Sequence, residues 1–150
     1  MKNTNRILTT HVGSLPRPDG LIELMFAKAE GETVDGALLE ERTQEAVTEI
    51  VGHQAKAGVD IVSDGEMSKP SYATYVAERL TGFNGTSNPP KLNDILEYPN
   101  VSSSYFNDPG VQSLNKHRPA CDGPVALKNG LADAEKDILH FKKALETATA

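Results

Sequence analysis

The sequence predicts an α/β fold built on a parallel sheet, and three observations carry that prediction. A short strand-like run over residues 59–62 ends abruptly in two carboxylates around a glycine, Asp64-Gly65-Glu66, as a strand does where it leaves a sheet. Strand-like and helix-like segments alternate along the chain, which implies right-handed crossovers between parallel strands. The last helix carries Leu131, Ala134, Ile138, Phe141 and Leu145 at intervals alternating between three and four, an amphipathic stripe.

The elements follow in order. Residues 6–10 (Arg-Ile-Leu-Thr-Thr) read as a short buried strand after a polar start. A loop with two prolines and two glycines covers 11–20, and helix formers resume over 21–29. A glycine-bounded break at 31–36 precedes a long helix from about 37 to 57, in which Leu39, Ala46, Val47, Ile50 and Ala57 keep near-helical spacing with His53 on the same stripe. Gly58 sits where a C′ glycine belongs, with Lys56 in the last turn. Residues 71–80 form the next predicted helix. The stretch 81–116 is rich in Asn, Pro, Gly and Ser but holds Ile95, Leu96, Tyr98, Tyr105 and Phe106 as apolar anchors. It reads as an excursion packed across one end of the domain, with a short hairpin. A third strand is expected over 118–127, leaving through Gly123-Pro124, before the final helix.

Three parallel strands cannot close an eight-unit barrel, which needs about 250 residues. The 150 residues therefore read either as a small open sheet or as the N-terminal portion of something larger, and the second is preferred.

Composition narrows the function. Lys plus Arg total 15 against 21 Asp plus Glu, a net charge of −6, with 38% hydrophobic and 24% charged residues. An acidic balance without a basic cluster argues against nucleic acid or an anionic membrane as partner. Aromatics are 5% and Trp is absent, so base-stacking platforms are not expected. No apolar run reaches membrane-spanning length. A lone Cys121 suits a reducing compartment and reads as a buried small hydrophobe, and a cytoplasmic location is expected.

Two loops concentrate the chemistry. In Asp64-Gly65-Glu66, Gly65 allows a sharp turn, and two crowded anions require a cation or N–H donors to compensate. The pair suits an ammonium group, a metal, or acid/base work; the plain alternative is a solvated Asp-Gly turn. In His11-Val12-Gly13-Ser14-Leu15-Pro16-Arg17-Pro18, Gly13 and Ser14 offer N–H groups and a hydroxyl to an anion, and Arg17 offers a bidentate clamp. The plain alternative there is a rigid loop with Arg17 on the surface. Loops leaving adjacent strands at one edge converge, which favours a site over either alternative. His53 reads as a core-edge residue rather than a ligand, His117 and His140 as surface residues, and Lys142-Lys143 as a solvated helix face. No Cys-x-x-Cys or His-x-Cys pair offers a zinc site, and phosphate-binding glycine fingerprints are missing.

The segments 7–18 and 57–69 resemble the cobalamin-independent methionine synthase family, most closely its single-barrel members, and Cys121-Asp122-Gly123-Pro124 with the helix after it resembles that family's third strand and helix. The resemblance implies an incomplete TIM-like (β/α)8 barrel: residues 1–150 as its N-terminal part, roughly three βα units, with 81–116 as an inserted excursion. It implies methyl transfer from a methylated folate to the thiol of homocysteine, without cobalamin. Val12, Gly13 and Ser14 match the segment that holds the amino acid, and Glu66 matches the glutamate that binds its ammonium. His11, Arg17 and Asp64 belong to the matching motifs in supporting roles. The family's zinc is held by His, Cys, Glu and Cys residues from later strands, which this chain does not contain. The implied reading is an amino-acid half-site whose catalytic residues are unknown, expected to be inactive alone. The rivals are a thiol alkyl transferase of the coenzyme M type, and a non-catalytic barrel fragment completed by self-association or by a complementing C-terminal part.

Overall fold

A computed structural model of the chain describes residues 5–86, 93, 97, 98, 100 and 119–148. Their elements run α1 (Asp19–Ala29), α2 (Gly36–Lys56), α3 (Tyr72–Arg79), β1 (Gly85–Thr86), β2 (Pro119–Ala120) and α4 (Ala132–Ala148). Two compact units divide them. The first takes the described residues of 1–25, 33–68 and 132–150, and the second those of 26–32 and 69–131.

The first unit is built on α2. Asp35 starts the helix from an extended conformation, its carboxylate accepting from the N–H groups of Ala37 and Leu38 at 2.9 and 3.3 Å. The helix ends at Gly58, whose φ of +78° is the left-handed conformation expected of a C′ glycine. Its buried face presents Thr43, Ala46, Val47, Val51 and Gln54. Leu39 and Ile50 pack against the same core, so the predicted stripe holds as far as Ile50; at its end Ala57 and His53 are exposed, and His53 is not at the core edge. Counting apolar residues alone misplaces the end of the stripe because its last buried member is a glutamine.

Leu21 and Met25 of α1, Met67, and Ala144 of α4 complete the core with Ala46, Val47 and Val51. Leu21, Val51 and Met67 are at most 1% exposed, and burying each such side chain contributes roughly 1.5–3 kcal/mol. Along α4, Phe141, Ala144, Leu145 and Ala148 face this core, while Leu131, Ala134 and Ile138 are exposed, so only the C-terminal half of the predicted stripe is covered.

Residues 6–10 and 59–62 lie side by side and parallel, as predicted, but they pair through one isolated bridge, Thr10 to Ile61, rather than as strands. The expected buried strand is exposed throughout 6–10, with Ile7 93% accessible. Leu8 is partly covered, and Ile7 is left almost fully exposed by the described residues.

In the second unit, β1 pairs antiparallel with β2, Gly85 opposite Ala120, and Leu80 bridges Leu127 in the same sense. The predicted third parallel strand over 118–127 is therefore a two-residue antiparallel strand followed by an extended segment. Gly82 sets this arrangement: a Cβ there would meet the Gly123 carbonyl oxygen at 2.6 Å, so the two backbones approach in a way only glycine permits. Asp122 N–H donates to Gly82 at 2.9 Å, and Lys128 Nζ donates to the Ala77 carbonyl at the end of α3 at 2.7 Å. Cys121 is exposed, not buried as its residue type alone predicts. The described residues thus give an α/β chain with few strands. Most of the predicted 81–116 excursion, and His117, lie outside them.

Candidate functional site

Asp64-Gly65-Glu66 forms a turn that is closed by Met67 N–H donating to the Asp64 carbonyl at 3.3 Å. Gly65 has φ +61° and Glu66 has φ +58°, two successive residues in the left-handed region. Glycine is required at the first: a Cβ would lie 3.1 Å from Met67 Cε and 3.2 Å from Ile50 Cγ1. Glutamate at the second is costly, by roughly 1–2 kcal/mol for a residue bearing Cβ. Such strain persists where surrounding groups impose it, and it concentrates at functional sites.

Several groups impose it here. Asp64 Oδ1 accepts from the Glu66 N–H at 3.0 Å, so the crowded carboxylates are reconciled because one serves the other's backbone. Arg17 Nη2 donates to the Glu66 carbonyl at 2.9 Å, and Ser14 Oγ donates to Glu66 Oε2 at 2.5 Å. Leu15 N–H donates to the Gly65 carbonyl at 3.0 Å. The two predicted loops therefore converge, and Ser14, Arg17, Asp64 and Glu66 come together. Arg17 is half-buried and not a surface residue; its burial pushes the guanidinium down from its ordinary value, with the Glu66 charge acting the other way. Val12 and Gly13 lie exposed beside Ser14, Gly13 with φ +98°.

Two supports were not evident in the sequence. Gln54 grips Ser63 from α2, its Nε2 donating to the Ser63 carbonyl at 2.8 Å and its Oε1 accepting from the Ser63 N–H at 3.0 Å. A buried glutamine on an apolar helix face is the signal that locates it. Asp60 joins the two segments below the turn. Its carboxylate receives both Nη atoms of Arg6, the Thr9 N–H at 2.8 Å and Thr9 Oγ1 at 3.0 Å. Hydrogen bonds from Arg6 and then Thr9 hold it well below the usual carboxylate range.

Behind Arg17 a cleft of about 470 Å³ is lined by Pro16, Pro18, Ile50, His53 and Met67. Buried polar atoms without a hydrogen-bond partner include His11 Nε2 and Ser68 Oγ, which flank the two loops in sequence. Native structures rarely leave such atoms unpaired, and a ligand is one way of satisfying them. His140, expected at the surface, is 4% exposed; its Nε2 lies 2.6 Å from Glu40 Oε1, pinning α4 to α2. Burial raises the Glu40 carboxyl, but hydrogen bonds from Lys136 and His140 outweigh this and lower it overall. Lys142 and Lys143 are exposed, as predicted.

The zinc implied by the family needs converging donors. Among the described residues no group of three His, Cys, Asp or Glu is placed to hold a metal, so these residues do not fit that ion. No helix among them is long and apolar enough to cross a membrane.

By fold and site, this is an α/β chain in which two glycine-containing loops meet at a strained glutamate. Residues 7–90, more than half of the chain, match the family described as cobalamin-independent synthase, catalytic domain, and the chain belongs to that family. It is 40% identical over 75 residues to a methionine synthase of Sulfolobus acidocaldarius, covering 50% of this chain and 22% of that protein. Over 77 residues it is 38% identical to a 5-methyltetrahydropteroyltriglutamate–homocysteine methyltransferase of Streptomyces avermitilis, covering 50% of this chain and 10% of that protein. A methionine synthase of Sulfurisphaera tokodaii is 40% identical over 75 residues, again 50% of this chain and 22% of the relative. The matched stretch thus spans under a quarter of the curated relatives' length. No solved structure matches.

Proposed function

We propose that this chain carries the amino-acid-binding half-site of a methyl transfer to the thiol of homocysteine, with a methylated folate as donor. The observation that carries the reading is the hydrogen bond between Ser14 Oγ and Glu66 Oε2, which joins the two family motifs. The second oxygen, Oε1, has no partner among the described residues and suits the substrate ammonium. The exposed backbone of Val12, Gly13 and Ser14 suits the substrate carboxylate, because N–H groups favour an anion. His11, Arg17 and Asp64 support these contacts. In this reading the chain recognises the amino acid, and the thiol chemistry belongs to metal ligands that its described residues do not supply. The domain reading follows: the N-terminal part of an incomplete TIM-like barrel acting in the cytoplasm.

Calorimetry of L-homocysteine on the purified chain tests this. Glu66→Gln keeps an acceptor for Ser14 but removes the charge, and should weaken binding by about tenfold or more. Equal affinity in the variant would sink the assignment of Glu66. Binding of coenzyme M in preference to homocysteine would favour the rival acceptor. Turnover of homocysteine by the unsupplemented chain would overturn the half-site reading.

Exposed apolar side chains favour a second reading alongside this one. Ile7 and Ile61 are 93% and 54% accessible on the two paired segments, and Val12 is 86% accessible in the loop after the first. With Thr10 opposite Ile61, Ile7 lies on the other side of the pair, so apolar surface of the kind that partners cover is exposed on both sides. In this reading the cover is a complementing polypeptide carrying the remainder of the family's catalytic domain. Size-exclusion mass with and without that fragment tests it. An unchanged mass in the mixture counts against it, and a dimer of the chain alone points to self-association instead.

A further inference from the structure

We infer that Arg17 is a positioning residue, which sets the direction of the Glu66 carboxylate by holding the glutamate's backbone and does not itself bind the substrate anion. For its affinity arm the inference rests on the amino-acid reading above.

A guanidinium beside a substrate loop is ordinarily read as a clamp for a carboxylate or phosphate. The geometry here gives it another task. Nη2 is directed at a backbone carbonyl, that of Glu66, at 2.9 Å. That residue has φ +58° without being glycine. Released from its restraints, it returns to negative φ, the region favoured by any residue bearing Cβ. Such a flip would rotate the peptide and swing the side chain away from Ser14. The restraints act on opposite ends of the residue: Asp64 Oδ1 on its N–H at 3.0 Å and Arg17 on its carbonyl. A hydrogen bond from a charged donor is stronger than one between neutral groups and offsets the cost of the conformation.

The sequence around Arg17 is built for this. Pro16 and Pro18 fix the backbone on either side, so the guanidinium reaches the turn from a stiff stem. Leu15 N–H, bonded to the Gly65 carbonyl at 3.0 Å, sets the distance between loop and turn. The half-buried position shields the bond from water, and burial lowers the guanidinium's pKa without releasing its proton.

The test uses Arg17→Met, which keeps the apolar stem without a donor, and Arg17→Lys, which restores one. In the ligand-free protein the Glu66 carbonyl 13C shift should move upfield in Arg17→Met and return towards the wild-type value in Arg17→Lys. Affinity for L-homocysteine should fall about tenfold in Arg17→Met. In a Glu66→Ala background the same change should cost no further affinity, because Arg17 acts through the glutamate. An unchanged carbonyl shift overturns the proposal. So does an equal loss of affinity with and without the Glu66 side chain, which would make Arg17 a direct ligand contact. A wild-type chain that binds no homocysteine defeats the substrate reading, and the carbonyl shift then decides the positioning role by itself.

Discussion

Asp60 and Glu66 lie six residues apart, and each ties the segment before Pro18 to the segment after Gly58, yet they are held in opposite ways. Asp60 is saturated at its side chain: Arg6 reaches both oxygens, and Thr9 adds its N–H and hydroxyl. Glu66 is saturated at its backbone, by Asp64 and Arg17, and its carboxylate takes one hydroxyl from Ser14. A carboxylate with both oxygens engaged fastens the fold. One on an immobilised backbone, with one oxygen held by Ser14, is the arrangement that the proposed ammonium contact needs.

The comparison breaks most severely at Gly65. Gly65→Ala puts a Cβ against Met67 and Ile50 at a left-handed φ, and should cost about 2 kcal/mol. The urea midpoint reads this, and a midpoint equal to wild type would show that the turn tolerates a side chain. Asp60→Asn should come next, and its signature is pH dependence. The folded carboxyl lies below its unfolded value, so it stabilises the protein above the ordinary carboxylate range and loses that contribution as pH falls. Glu40, also lowered, has the same sign. Urea midpoints from neutral pH down to about pH 3 should therefore fall steeply for wild type and less steeply for Asp60→Asn; parallel curves would remove Asp60 from the account. Glu66→Gly relieves the backbone while losing the Ser14 bond, two effects of about 1 kcal/mol each and opposite sign. Stability should stay within about 1 kcal/mol while homocysteine binding weakens about tenfold or more. A large destabilisation would make Glu66 a fastener like Asp60. The smallest effect belongs to the exposed pair Lys28–Glu78, where Lys28→Ala should change stability by less than about 0.5 kcal/mol.

How far the sequence revealed these features depended on whether the deciding partner was local. Gly58 and Gly65 were legible because a left-handed φ selects for glycine at helix ends and tight turns. The limits of α2, and the convergence of Ser14 with Glu66, followed from periodicity and from the placing of loops after parallel segments. The burial of His140 was not legible, because it depends on Glu40 a hundred positions earlier. The antiparallel pairing at Gly85 and Ala120 likewise depends on the backbone approach of Gly82 to Gly123. Arg17 was legible as a member of the converging loops but not in its target, since a carbonyl acceptor leaves no trace in residue type. Gln54 was hidden for the complementary reason: its amide bonds a backbone, so polarity disguised a buried position.

The grip of Gln54 on Ser63 also makes α2 a ruler for the turn that follows. Each residue added to a helix advances it by about 1.5 Å and rotates it by about 100°. One insertion between Val47 and Gln54 would therefore swing the amide off Ser63 while leaving every residue type at the turn unchanged. Length variation among natural relatives should accordingly avoid this stretch of helix and collect instead at residues 30–34, where the chain is largely exposed and lies ahead of the Asp35 cap.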